Sequence, residues 1–171
     1  MKRILIIAVI IGVLCLNFIL VAQDRQVYKH SFLNFQFKAP SGWKQIKHKE
    51  DRMIYEITDS EKKIHVMLWY SATMQNAKGY LEKMADMKGL HWEGEPVVVK
   101  NWEEEAFKIN ASGNVWGMDS KVLLTVIPHG FDIKHTDHFA HHIVMIWCPE
   151  MEYSKYKFQM EDILKSVKFL G

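Results

Sequence analysis

An apolar run from Ile143 to Cys148 is followed directly by a proline and then by a regular amphipathic pattern. The run is short and rich in β-branched residues, which is typical of a buried strand. Pro149 suits the first turn of a helix, where no amide hydrogen is needed. From Tyr153 to Val167 apolar residues recur every three or four positions, with lysines on the other side. This end of the chain predicts a core strand and a helix that lies back on the sheet.

The earlier segments mostly alternate apolar and polar residues, which is the pattern of half-buried strands. Asn76 is a candidate N-cap for a helix that reaches Met87, and Gly89 is a candidate stop. A helix with one apolar stripe has to bury it against another layer. The sequence therefore predicts an α+β fold, an antiparallel β-sheet of about seven strands sandwiched by helices. The predicted strands cover residues 33–38, 43–47, 53–57, 63–70, 96–100, 105–111, 115–127 and 139–148.

Three connections carry no periodic pattern. Residues 23–30 are polar and are interpreted as a loose lead-in. Gly113-Asn114 is the predicted tight turn into the long strand, which has a candidate break near Gly117. The histidine-rich segment from His129 is interpreted as the loop of a hairpin, and Phe139 begins the returning strand.

The N-terminus has basic residues, then an apolar stretch, then Ala22 before polar residues. These are the three regions of a secretory signal peptide, so we predict cleavage after Ala22, with residues 1–22 as the signal and 23–171 as one domain. Two alternatives remain. Residues 4–22 approach the roughly 20 apolar residues that cross a bilayer, so they would serve as an uncleaved anchor. Cys15 would be the acylated residue of a lipoprotein, although the bulky Leu14 disfavours it. All three place the domain outside the cytoplasm, in the periplasm or secreted.

Removing residues 1–22 takes away two basic residues and no acidic one, which leaves twenty of each sign. A neutral domain gives no electrostatic case for nucleic acid or for an anionic membrane surface. Cys148 is then the one remaining cysteine, so the mature chain has no internal disulfide. The domain has to depend on packing for its stability.

Two stretches carry a family resemblance. Phe35-Gln-Phe37-Lys-Ala-Pro40-Ser-Gly42-Trp43 resembles the opening strand and turn of the PsbP-like superfamily, which includes PsbP and DcrB-like exported domains. Tyr156 and the segment Ile163 to Phe169 are similar to its closing helix and final short strand. The resemblance covers roughly residues 27–170. It implies an antiparallel sheet between helices, and an accessory or binding role without catalysis; the photosynthetic role is not carried over.

Histidines are the first candidate for chemistry, because neutral imidazoles that converge on one point bind zinc or copper. His135, His138, His141 and His142 fall within eight residues. On a strand, however, His141 and His142 point to opposite faces, so only one of them can join the other two. The sequence predicts this cluster as a candidate metal site, with an exposed hairpin tip as the structural alternative.

Tryptophans are the second candidate. Trp43, Trp69 and Trp147 fall on strands or their ends, where they are expected to pack the core. Trp92, Trp102 and Trp116 lie nearer loops, so they form the predicted binding surface, with core packing as the alternative.

Familiar catalytic patterns do not appear in the sequence. It has no Gly-x-Ser-x-Gly elbow and no glycine-rich phosphate loop, and its acidic runs lie at predicted turns. Cys148 ends an apolar strand, where a buried thiol is inert. We therefore expect a non-enzymatic binding or accessory domain of the cell envelope, without a cofactor and with an unidentified protein or envelope component as partner. A periplasmic zinc or copper protein is the alternative.

Overall fold

A computed structural model describes residues 24–48, 54–102, 104–131 and 138–170. Within these ranges the chain forms eleven strands and two α-helices, α1 and α2. The helices are α1 (Ala77–Met87) and α2 (Tyr153–Ser166). The strands are β1 (Arg25–His30), β2 (Phe35–Pro40), β3 (Lys44–Ile46), β4 (Ile54–Thr58), β5 (His65–Thr73), β6 (His91–Trp92), β7 (Val97–Val99), β8 (Ala106–Val115), β9 (Met118–Phe131), β10 (Phe139–Pro149) and β11 (Lys168–Phe169).

The main sheet has the strand order β3-β4-β5-β10-β9-β8-β6, with β7 also paired to β8. Its ladders are antiparallel, and β10 lies in the middle between β5 and β9. The apolar run Ile143 to Cys148 is fully or almost fully buried in β10, as the sequence predicts. Strands β1, β2 and β11 form a separate three-stranded sheet.

Two hydrophobic clusters cover the two faces of the main sheet. One contains the small sheet and the buried side of α2, with Tyr156, Met160 and Ile163 packed against alternate residues of β10 such as Val144. The other contains α1, whose Leu81 packs with the opposite residues of the same strands. The predicted α+β sandwich is confirmed, and the second sheet is an addition to it.

Helix α1 begins and ends where its sequence predicts. The Asn76 side chain accepts a hydrogen bond from the Gly79 N–H at 2.9 Å. Gly89 takes a positive φ of 64°, and the Leu90 N–H donates to the Ala85 carbonyl at 3.0 Å. This is a Schellman end, which satisfies carbonyls that the last turn leaves free. Among the described residues, no helix is long and apolar enough to cross a membrane.

Two predicted connections are wrong. Residues 25–30 form β1 instead of a loose lead-in, because Tyr28 is buried and its hydroxyl donates to the Pro40 carbonyl at 3.1 Å. Gly113 and Asn114 lie within β8, and the hairpin turn comes three positions later, at Trp116 and Gly117. The space at position 113 is tight, since an added Cβ would come 3.0 Å from Leu90 Cδ2 and 3.1 Å from the Gly89 carbonyl oxygen.

Candidate binding surface

The β8–β9 hairpin turns through Trp116 and Gly117. Val115 pairs with Met118, so the loop has two residues, and both have positive φ, 51° and 86°. This is type I′ geometry, which usually takes Asn-Gly because a large side chain is disfavoured at positive φ. The Asn114 Oδ1 accepts the Gly117 N–H at 2.8 Å and supports the turn. A tryptophan therefore occupies a position whose backbone conformation disfavours it.

The Trp116 indole lies at the surface over a buried aromatic stack. Trp116 is 66% exposed. The Trp147 ring beneath it is fully buried and meets it edge-on, at 5.0 Å between ring centroids. His65 stacks in parallel on Trp147 at 4.8 Å. Contact with this stack holds the exposed indole at one place above the sheet.

A cavity of about 100 Å³ opens beside Trp116. Met67 and Met145 lie directly opposite each other on β5 and β10 and form part of its wall. Methionine side chains are flexible and polarisable, so such a wall adapts to an apolar occupant. Its remaining lining residues are Lys88, Asn114, Val115 and Trp116.

A buried carboxylate supports the stack from the side of β4. Glu56 is 1% exposed, and its Oε1 lies 2.9 Å from His65 Nδ1. Its Oε2 lies 2.8 Å from His48 Nε2, while His65 Nε2 lies 3.1 Å from the Lys62 carbonyl oxygen. The two ring nitrogens of His65 therefore contact a carboxylate oxygen on one side and a backbone carbonyl oxygen on the other. The network fixes the His65 ring against Trp147.

The pairing of Glu56 with two histidines was not predicted from the sequence. Glu56 alternates with the apolar residues Tyr55 and Ile57, which suggests a solvent-facing position. Both faces of this sheet are covered, so the polar residues Glu56 and Thr58 of β4 are buried together with the apolar Ile57 between them. His65 lies diagonally across from Glu56, since its register partner is Thr58.

The three tryptophans of the predicted surface do not come together. Trp92 is partly buried and packs against the cluster on the α1 side. Trp102 packs against the opposite cluster, and its Nε1 donates to the Val167 carbonyl at 3.2 Å. Trp116 alone of these three is mostly exposed.

The histidines of the predicted metal cluster are divided between the two faces. The His141 ring stacks on Tyr80 of α1 at 5.4 Å, and its Nε2 lies 2.9 Å from the Gln75 carbonyl oxygen. The His142 ring stacks on Phe169 of β11 at 4.4 Å on the other face. Burial lowers the pKa of both, that of His142 to about 4, so both are neutral near pH 7.

His135 lies outside the described residues, and His138 is half-buried. In the described part of the chain, no three or more His, Cys, Asp or Glu side chains are arranged to hold a metal ion. The opposite directions of the two adjacent histidines are as expected from strand geometry. The metal site itself stays a prediction.

Comparison with known proteins identifies the fold. No protein-family model and no curated protein matches the sequence. The solution structure of cyanobacterial PsbP from Synechocystis sp. PCC 6803 is similar, with a TM-score of 0.63 and 10% identity, over 86% of this chain and 93% of that one. The chain has a PsbP-like fold.

Two other solved structures share the PsbP-like fold. LpqN of Mycobacterium tuberculosis, which is involved in cell envelope biogenesis, gives a TM-score of 0.59 at 10% identity, over 86% of this chain and 91% of that one. The Ran-binding protein Mog1p of Saccharomyces cerevisiae gives 0.56 at 10% identity, over 87% and 97%. At this identity the likeness establishes the fold.

The segments that suggested the PsbP-like fold are structural. Phe35 and Phe37 of β2 are buried and stack against each other at 6.1 Å between ring centroids. The turn after them buries Trp43, whose backbone N–H donates to the Tyr28 hydroxyl at 3.1 Å. After α2, β11 returns to pair with β2. These residues form and pack the small sheet, which lies on the opposite face of the main sheet from Trp116.

Proposed function

We propose that this protein is an exported, non-catalytic accessory domain that binds a protein outside the cytoplasm through the surface centred on Trp116. The observation that carries the proposal is an exposed indole held at a positive φ, above a small apolar cavity. Strained backbone positions cluster at functional sites, and exposed tryptophan is enriched among residues that dominate binding energy.

One further cost to folding stability lies beneath the same surface. Trp147 Nε1 is buried without a hydrogen-bond partner in the described part of the chain. A buried donor without a partner reduces folding stability. Its place beneath the exposed Trp116 indole supports a binding role for this part of the sheet.

The similar structures are consistent with an accessory role. Mog1p is a Ran-binding protein, and LpqN is involved in cell envelope biogenesis. The predicted N-terminal signal peptide supports a site of action outside the cytoplasm. Mass spectrometry of the protein from the native host tests export: a mature N-terminus at Gln23 is expected, whereas an intact N-terminus in the cytosolic fraction would contradict it.

The binding proposal is tested by co-purification from the native host after chemical cross-linking. The variant Trp116→Asn removes the indole and installs the preferred Asn-Gly turn. Phe158→Asn is the matched control, because Phe158 is an exposed aromatic of α2 on the opposite face. We expect a specific partner to be lost with Trp116→Asn and kept with Phe158→Asn. Recovery of equal amounts of the cross-linked partner with both variants would refute the proposed surface.

Zinc or copper binding is the second candidate function. It is favoured by His141 Nδ1, which is buried without a hydrogen-bond partner in the described ranges. Together with His135 and His138 this nitrogen would provide three imidazole ligands, while His142 faces away. Isothermal titration with Zn²⁺ or Cu²⁺ should lose tight binding when His138→Ala and His141→Ala are combined. Exposed His91→Ala is the control, and tight binding in the double variant would exclude the site.

A further inference from the structure

The cavity beside Trp116 has the size of one side chain. Sites for drug-sized ligands span roughly 300–1,000 Å³, and an apolar cavity of about 150 Å³ accepts benzene. The cavity here holds about 100 Å³, which is too small for a cofactor and for an aromatic ring. An aliphatic side chain such as that of leucine or methionine matches this volume.

The walls of the cavity select an apolar occupant. Met67 and Met145 are buried, at 7% and 4% exposed, and Val115 is also buried. Asn114 is polar, but its carbonyl oxygen accepts the Gly117 N–H and its amide donates to Asp119 Oδ1 at 3.4 Å. Its polar groups are therefore engaged within the hairpin.

Lys88 is one of the residues that line the same cavity. Lys88 caps the C-terminal end of α1 and is exposed. Within the described ranges, no carboxylate forms an ion pair with its ammonium group. A lysine that lines an apolar cavity, and that forms no ion pair within the described ranges, complements a ligand that combines an aliphatic group with a carboxylate.

We propose that this cavity takes one aliphatic side chain from an extended segment of a protein partner, and that Lys88 pairs with a carboxylate of that segment. This inference rests on the proposed protein-binding function and specifies the chemistry that the partner presents. Trp116 covers the inserted side chain from above, which excludes water from the contact.

The test uses NMR of the mature protein labelled with ¹³C at its methionine methyl groups, and N-acetyl-L-leucine as the probe. We expect saturable shifts of Met67 and Met145, while the exposed Met74 and Met151 stay unchanged as internal controls. N-acetyl-L-leucinamide, which lacks the carboxylate, should bind roughly 2–5-fold more weakly, the range of an exposed ion pair. N-acetyl-L-phenylalanine should not shift the two buried methyl groups.

Variants separate the two parts of the contact. Lys88→Gln should weaken N-acetyl-L-leucine roughly 2–5-fold and leave N-acetyl-L-leucinamide unchanged. Lys83→Gln, an exposed lysine on the same helix, is the control. Absence of saturable shifts, or equal shifts at Met74 and Met151, would overturn the inference. So would dissociation by the probe of a dimer seen in sedimentation, since the occupant would then be a second copy of the chain.

The outcomes distinguish this inference from the function on which it rests. If the probe does not bind but Trp116→Asn still loses the cross-linked partner, the surface is correct and the side-chain receptor is wrong. If the probe binds in the cavity but Trp116→Asn keeps its partner, the receptor is correct and the proposed binding surface is wrong.

Discussion

Replacing Trp116 with asparagine should remove the exposed indole at almost no cost to folding. Trp116 is 66% exposed, so about a third of its side chain is buried. A large aromatic buries up to about 250 Å². One third of that area, at about 25 cal/mol per Å², contributes about 2 kcal/mol to stability. This contribution is an upper value, because the unfolded chain already buries some of the same surface.

The backbone conformation at position 116 affects stability in the opposite direction, because the substitution relieves strain. A residue with a Cβ in the left-handed region costs about 1–2 kcal/mol, and asparagine tolerates that region far better. Relief of this strain offsets most of the lost burial. We therefore expect the free energy of unfolding of Trp116→Asn to lie within about 1 kcal/mol of the parent, a change of about 2–4 °C in Tm for a chain of this size.

Urea denaturation followed by circular dichroism measures this difference, with Trp116→Val as the control. Valine loses the same packing and keeps the unfavourable φ, so it should be destabilised by about 2–3 kcal/mol. A loss of more than about 3 kcal/mol in Trp116→Asn would show that the indole is mainly a core residue. Equal stability of the two variants would refute the strain argument.

Three further predictions follow from buried groups. Glu56→Gln should lower the free energy of unfolding by about 1–3 kcal/mol, because two charge-assisted hydrogen bonds are weakened, and an unchanged urea midpoint would contradict this. Burial, with a smaller effect of His129, lowers the pKa of His142 to about 4 from 6.5. The unfolded chain then binds the proton more readily, so stability falls by roughly 3 kcal/mol as the pH drops from 6.5 to 4. His142→Phe should reduce this dependence in urea titrations, and an identical pH profile would exclude it. Burial raises the pKa of the Cys148 thiol to about 11, so a thiol-specific reagent should react only at the rate of unfolding, and rapid labelling of the native protein would contradict its burial.

The fold follows from local signals that agree with one another. Asn76 and Gly89 mark the ends of α1 because each satisfies backbone groups that a helix end leaves free. The stripe of α2 and the apolar run of β10 are complementary surfaces, so their packing follows from the pattern. The motif around Phe35 and Trp43 adds the small sheet that closes this side.

The candidate surface depends on register, which these patterns do not specify. Asn-Gly is the usual signal of a two-residue hairpin, and no pattern rule places Trp-Gly there. The contact between Glu56 and His65 is set by the pairing of β4 with β5, and it is buried beside the stack of His65 on Trp147. Trp116 is included in the predicted surface because it lies near a loop. The cavity beside it is lined by Met67 and Met145, whose strands are neighbours in the sheet but far apart in the sequence.

Site-specific photo-cross-linking tests whether the surface around Trp116 contacts a protein partner. Benzoylphenylalanine would replace Trp116 in one full-length protein and Phe158 in another, so that an aromatic replaces an aromatic at each site. After irradiation in the native host, we expect a discrete covalent adduct with one extracytoplasmic protein from position 116 and none from position 158. An adduct from position 158 alone, or no adduct at position 116 while the partner still co-purifies, would contradict it.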